Sequence, residues 1–186
     1  MGWLIGIFVV AMVLGPILYL KPSAKEKRLA ELRLLARKNS LGIKLDHLPR
    51  LDPELVERVT AGGEKRQPKQ ACVAYQRNWG PDANLNLLGR FLRVPNTPTI
   101  PFEAFSPGWA HDEKHIADWR RLESKKLDRA VREILQIAPE YCLAFSIDSR
   151  FLSCYWLELA DASGPEIEEI RSFLEEAEKK ILAALG

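Results

Sequence analysis

The chain has 186 residues, of which 47% are hydrophobic and 28% are charged, and its formal net charge is +2. This balance excludes an intrinsically disordered chain and leaves room for one domain with a sizeable core. The three cysteines have no regular spacing, which argues against a disulfide-stapled scaffold and favours a reducing compartment.

Residues 1–20 form an uncharged, apolar stretch that ends where basic residues begin at Lys21. A helix from Gly2 to Leu20 would span roughly 28 Å, about the thickness of a bilayer core. A cleaved signal peptide has a shorter apolar region and a small-residue cleavage site, which the sequence after Leu20 does not provide. We therefore predict a retained transmembrane helix over residues 1–20.

Basic residues are concentrated directly after this stretch, because residues 21–50 contain nine Lys or Arg against three Asp or Glu. Since positive charge stays on the cytoplasmic side, we expect the N-terminus to lie outside and the rest of the chain in the cytoplasm. Anionic lipid headgroups would suit these side chains, although the charges could also serve only to set the topology. The predicted membrane-surface residues are Lys21, Lys25, Lys27, Arg28, Arg33, Arg37 and Lys38.

Gly2 and Gly6 have the GxxxG spacing that lets two membrane helices approach closely. A homodimer through these two glycines is one interpretation. The other is that small residues are simply common in membrane helices.

The remaining chain is predicted to contain a basic juxtamembrane helix over residues 21–40, a short strand and linker over residues 41–70, and an α+β domain over residues 71–186. The predicted elements of that domain are, in chain order, strands at 71–75 and 85–94, a proline-rich loop at 94–109, a helix at 112–137, strands at 141–147 and 152–158, and a helix after Ser163. This ββαββα order predicts a two-layer fold with an antiparallel sheet and two helices. The hairpin register also predicts that Cys142 and Cys154 lie on opposite faces of the sheet.

The best candidate for a metal site is the pair His111 and His115, because histidines four residues apart share one face of a helix. The chain has Asp112 where zinc proteases have the glutamate of HExxH, so a solvated first helical turn is the alternative. The sequence contains no G-x-S-x-G, no dinucleotide fingerprint and no P-loop. No catalytic residue, metal or cofactor is therefore predicted.

A candidate interaction surface is formed by aromatic residues in or near the proline-rich segment. Aromatic residues are enriched at protein interfaces, but such a segment can also act as a lid on a small core. The residues are Trp79, Phe102, Phe105 and Trp109. No nucleic-acid partner is expected, because the basic residues are confined to one short stretch.

The run KPSAKEKRLAELRLLARKNSLGIKL and the strand end Trp156-Leu157-Glu158 resemble a group of uncharacterised single-pass inner-membrane proteins of Gram-negative bacteria. The layout is also similar to the YajC family, accessory subunits of the preprotein translocase. The resemblance implies a location in the bacterial inner membrane, with a periplasmic N-terminus, and carries no known activity. The predicted function is a membrane-anchored, non-enzymatic interaction module with an unknown protein partner. The alternatives are an accessory subunit of an inner-membrane complex and a metal-dependent enzyme that uses His111 and His115.

Overall fold

The computed structural model of the chain describes residues 3, 12, 23–60, 62–79, 87–158, 162 and 164–186. The α-helices with described bounds are α1 (Ala24–Lys38), α2 (Ile116–Arg120), α3 (Lys125–Gln136) and α4 (Gly164–Leu185). A short 3₁₀ helix covers Leu55–Arg58. The strands are β1 (Gly42–Pro49), β2 (Lys69–Asn78), β3 (Gly89–Arg93), β4 (Ala104–Ser106), β5 (Trp109–His111), β6 (Ala144–Ile147) and β7 (Phe151–Trp156).

The strands form one seven-stranded sheet in the order β1-β2-β7-β6-β3-β5-β4, and every described pair of neighbours is antiparallel. Side chains alternate between the two faces of each strand. One face carries Tyr75, Phe91, Phe145 and Trp156, which pack in a single core with buried residues from all four of these helices. We call it the helix-covered face.

The opposite face has its own apolar cluster, built from strand and loop residues without any residue of α1 to α4. We call it the helix-free face. Several strand positions on this face carry small side chains. Ala74, Ala110 and Ala144 lie there beside Leu92. Loop residues rather than helices cover this part of the sheet, among them Leu51 before β2 and Phe102 after β3.

The helices are amphipathic, as their sequence periods predict. α4 buries Ile167, Ile170, Leu174, Ala177 and Ile181, which recur every three or four residues as in an amphipathic helix, against the sheet. α1 begins with a capping box between Ser23 and Glu26 and buries Leu32 and Ala36 in the same core. Ser163, after which the last helix is predicted to begin, lies outside the described residues.

No helix within the described ranges is both long and apolar enough to cross a membrane. The longest of them, α4, has 22 residues and carries charged side chains along its length. This finding corrects the predicted fold class, which placed a transmembrane helix before the domain, and the predicted single-pass inner-membrane location. Apart from Trp3 and Met12, the segment 1–20 lies outside the described residues, as does the predicted homodimer contact at Gly2 and Gly6.

The predicted ββαββα order is also incomplete, because the proline-rich segment contains two strands. β4 and β5 pair across Pro107 and Gly108, and Gly108 takes a positive φ of 76° that suits a tight turn. These strands have only three residues each, too few for alternation to be recognised.

The predicted helix at 112–137 is divided into α2 and α3. Glu123 has a positive φ of 46°, which is incompatible with a continuous helix, and the Ser124 hydroxyl accepts the Leu127 N–H at 3.3 Å to start α3. Between these helices and the sheet the packing is close. A Cβ on Gly89 would lie 2.4 Å from the Trp119 ring, so only glycine fits at that position of β3.

The predicted separation of Cys142 and Cys154 is wrong, because their Sγ atoms are 3.1 Å apart. β6 begins at Ala144, so Cys142 precedes the strand and does not follow its alternation. Its thiol turns back to the Ala144 carbonyl at 3.3 Å. Both cysteines are buried and free.

Candidate functional site on the helix-free face

A groove of about 370 Å³ lies on the helix-free face, between the end of β1 and the end of β3. Its apolar floor is formed by the leucines Leu48, Leu51, Leu92 and Leu143. The other lining residues are Pro49, Arg50, Asp52, Gln70, Arg93, Val94, Pro95 and Asn96. The groove therefore combines an apolar floor with a polar rim, the usual composition of a binding site.

Two loop segments bound the groove and are tied together by backbone hydrogen bonds. The Leu51 carbonyl accepts the N–H of Thr99 at 2.8 Å and that of Ile100 at 3.2 Å. The Arg58 guanidinium donates to the Thr99 carbonyl at 2.8 Å. These bonds hold the segments after β1 and β3 at a fixed separation, so the groove is preformed.

The two arginines of the rim are already engaged within the protein. Arg50 pairs with Asp52 at 3.4 Å and with Glu57 at 3.0 Å. Arg93 donates to the carbonyls of Pro139 at 2.6 Å and Cys142 at 2.7 Å, which anchors β3 to the chain after α3. The charge of Arg50 is thus balanced by carboxylates, and the N–H donors of Arg93 are taken up by backbone carbonyls.

The two amide side chains of the rim, unlike its arginines, are not engaged within the protein. Gln70 and Asn96 have no side-chain hydrogen-bond partner among the described residues. Each primary amide offers two N–H donors and one carbonyl acceptor. This set matches the alternating donors and acceptors of a peptide backbone.

A cluster around Arg90 lies on the same face, two residues along β3 from Leu92. Arg90 Nη2 is 3.2 Å from the Tyr155 hydroxyl and 3.5 Å from the Asp46 carboxylate, and Arg90 Nη1 is 3.5 Å from Asp112. Asp112 is buried, so this arginine neutralises a carboxylate that water does not reach. The cluster links β1, β3 and β7 and the residue after β5.

No protein-family model and no curated protein matches this chain. Among solved structures, the chain is similar to the crystal structure of the mycobacterial trehalose monomycolate transport factor A, TtfA. The identity is 9%, the TM-score is 0.42, and the match covers 86% of this chain and 96% of that chain. A similarity of this size supports no conclusion about function. The resemblance to the YajC family stays a prediction.

The two predicted metal ligands lie in different surroundings. His111 is in β5 and packs its ring against Phe91 and Phe105 on the helix-covered face, with centroid distances of 5.4 and 4.8 Å. His115 precedes α2, and its Nδ1 is buried without a hydrogen-bond partner in the described part of the chain. Burial lowers the pKa of both imidazoles, with the neighbouring Arg90 as the second cause at His115.

His111 and His115 do not share a helix face, because a strand ends at His111 and the helix starts only at Ile116. Within the described ranges, no group of three or more His, Cys, Asp or Glu side chains could hold a metal ion. His111 does line a second cavity, of about 290 Å³, between β4, α2 and α3.

The predicted aromatic surface is mostly core. Trp79, Phe105 and Trp109 are buried in the helix-covered cluster, and the Trp79 indole N–H donates to the Asp148 carbonyl at 3.2 Å. Phe102 is half-buried and packs on the helix-free face, near the groove. These rings contribute packing, while Val94, Pro95 and Asn96 at the start of the same segment line one side of the groove.

The predicted membrane-surface residues divide into two groups, and Lys21 lies outside the described residues. Arg33 forms an ion pair with the buried Glu158 at 2.5 Å, and Arg28 donates to the Ala162 carbonyl at 3.1 Å. Both arginines therefore fasten α1 to the domain. The exposed residues of the set are Lys25, Lys27, Arg28, Arg37 and Lys38, and Arg33 is partly covered.

Sequence reasoning missed the groove and the Arg90 cluster. The available signal was the alternation of the predicted strand at 85–94, which puts Arg90 and Leu92 on one face. A charge within an apolar strand needs a partner. The partners come from β1 and from the residue after β5, and neither pairing can be recognised without the strand order.

Proposed function

We propose that this chain is a non-enzymatic interaction module that binds an extended, apolar segment of a partner protein in the groove. The observation that carries the proposal is the combination of a leucine floor with the unpartnered amides of Gln70 and Asn96. A volume of about 370 Å³ accommodates one or two side chains, near the lower end of ligand pockets.

The chemistry of the rim supports a peptide rather than a charged small molecule. Arg50 and Arg93 are engaged within the protein, so a charged ligand would have to compete with existing bonds. Gln70 and Asn96 can bond the main chain of an extended segment while its apolar side chain lies on the leucines.

Binding rather than nucleophilic catalysis is also supported by the cysteine on this face. Burial, together with the nearby charge of Asp46, raises the pKa of Cys72 to about 11. The thiolate is the nucleophilic form, so this side chain is a neutral thiol at physiological pH and behaves as a small apolar residue.

Selection from a displayed library of random peptides tests the proposal with the full chain. We expect enriched peptides with a central apolar residue, and their binding should reduce amide hydrogen exchange in residues 48–52 and 92–96. Val94→Glu places a charge on the groove and should abolish binding. Asn96→Ala removes one rim amide and should weaken binding about tenfold, the equivalent of one net hydrogen bond.

Val56→Glu is the matched control, because Val56 is 82% exposed and lies away from the groove. It should bind the same peptides as the unsubstituted chain. Equal binding by Val94→Glu, or exchange protection elsewhere on the sheet, would contradict the proposal. Circular dichroism of both glutamate variants shows whether the fold is retained.

A further inference from the structure

The two edges of the sheet differ in length and regularity. β4 has three residues and a shift of register between Ala104 and Ser106. β1 has eight residues, and its register with β2 is unbroken from Gly42 to Pro49. Short, irregular edges resist pairing with another strand, whereas long, regular edges favour it. Among the described residues, β1 is paired on one side only.

The free side of β1 presents the backbone groups of alternate residues. The Arg50 N–H donates to the Pro68 carbonyl at 3.0 Å, which continues the β1–β2 register by one pair. Even-numbered residues of β1 are therefore the ones bonded to β2. The N–H and C=O groups of Ile43 and Leu45 consequently point away from the sheet.

The side chains of β1 are also suited to pairing. Leu45 is 68% exposed, although its cross-strand neighbour Val73 is buried in the core of the helix-covered face. On the other face, Lys44 and Asp46 carry opposite charges 3.6 Å apart. The Asp46 carboxylate also accepts the His47 N–H at 2.8 Å, and the His47 carbonyl remains an acceptor at the edge.

We propose that a second copy of this chain binds along β1, with the two β1 strands antiparallel and centred on Leu45. In this register Lys44 of each copy lies opposite Asp46 of the other. Leu45 exchanges two backbone hydrogen bonds with its symmetry mate, and each Ile43 N–H donates to a His47 carbonyl. The bond between Asp46 and the His47 N–H is kept.

Neighbouring registers are less favourable. A pairing centred on Lys44 places two lysines opposite each other, and one centred on Asp46 places two aspartates opposite each other, which is repulsive in both cases. The register centred on Leu45 instead forms two complementary charge pairs by symmetry. This contact is separate from the groove and goes beyond the proposed function.

Sedimentation velocity of the full chain over a concentration series tests the dimer, which should appear as a monomer–dimer equilibrium. Leu45→Pro removes the central N–H without touching the β1–β2 ladder and should abolish the dimer. Lys44→Glu creates two like-charge pairs and should weaken the dimer about tenfold. Leu34→Asp, at a leucine of α1 that is 55% exposed, is the control and should leave the equilibrium unchanged.

Cross-linking tests the register. A Leu45→Cys variant should be joined to its mate by a short bismaleimide, because directly opposed residues have Cα atoms about 5.5 Å apart. Leu34→Cys should not be joined, and the native cysteines are buried.

A monomer at all concentrations, a dimer that persists in Leu45→Pro, or a dimer that Leu45→Cys fails to cross-link would overturn the proposal. So would a monomer whose β1 edge takes up a segment of another protein. Peptide binding in the groove should survive Leu45→Pro, so the two proposals fail separately.

Discussion

The two faces of the sheet are made by the same strands but differ in what they bury. The helix-covered face carries large rings such as Tyr75, Phe91 and Phe145, whereas the helix-free face carries Ala74 and Ala144. Large side chains supply most of the free energy of folding that burial provides. The comparison indicates that one face maintains the fold, and the other can keep a groove and a buried charge cluster at little cost in stability.

The largest expected effect comes from removing a ring on the helix-covered face. Phe145 is fully buried and packs against Phe173 of α4 with ring centroids 5.5 Å apart. Phe145→Ala should lower the free energy of unfolding by about 3–5 kcal/mol, because it removes buried surface and leaves a cavity. Urea denaturation measures the change. Leu182→Ala, at a leucine that is 48% exposed, should lose less than about 1 kcal/mol, and an equal loss in both variants would contradict the comparison.

A smaller effect is expected from the charge cluster of the helix-free face. Arg90→Gln removes the cation beside the buried Asp112 and should lower the free energy of unfolding by about 2–4 kcal/mol, since an unpaired buried charge is costly. Arg120→Gln breaks the exposed pair with Glu103, at 2.5 Å, and should cost less than about 1 kcal/mol. The thermal and urea midpoints of both variants provide the test.

The double variant Arg90→Gln with Asp112→Asn separates two interpretations of such a loss. If the cost of Arg90→Gln comes from the unpaired carboxylate, neutralising Asp112 should restore part of the stability. No recovery would mean that Arg90 acts mainly through its stacking on Tyr155, whose ring centroid is 5.1 Å from the guanidinium carbon.

The helix-covered face could be predicted from the sequence because its elements are long and periodic. The stripe from Ile167 to Ile181 and the hairpin around Asp148 follow from spacing alone, and both are present. The residues of one helix or one hairpin are close in the chain, so the local pattern is enough to place them.

The helix-free face could not be predicted in the same way, because its features join segments that are distant in the chain. Arg90 meets Asp46 across 44 residues, and the groove combines the end of β1 with the end of β3. Strand order decides these contacts, and β4 and β5 are too short to reveal it. The apolar stretch at residues 1–20 led to a wrong prediction of the fold class. It is a strong local signal, but it carries no information about the strands and helices of the domain.

The smallest expected effect on stability is a pH dependence that comes from His111 and His115. His111 packs among rings on the helix-covered face, and His115 lies beside Arg90 and Asp112. Burial is the largest cause that lowers the pKa of each imidazole in the folded chain. Unfolding returns each to an ordinary value of about 6.5. Below that pH the unfolded chain binds more protons than the folded chain, so acidification favours unfolding.

The free energy of unfolding should therefore fall as the pH drops from about 7.5 towards the lowered pKa values, and the dependence should be absent above that range. His111→Phe, which suits the space between Phe91 and Phe105, should remove the part of the pH dependence that comes from His111. His115→Gln should remove the part that comes from His115, and the stability of the double variant should be nearly independent of pH over this window, because carboxyl groups titrate at lower pH. Urea denaturation at several pH values measures each slope. If His111→Phe alone removes the pH dependence, only His111 resists protonation in the folded chain, and the surroundings of His115 must admit a proton without loss of the fold.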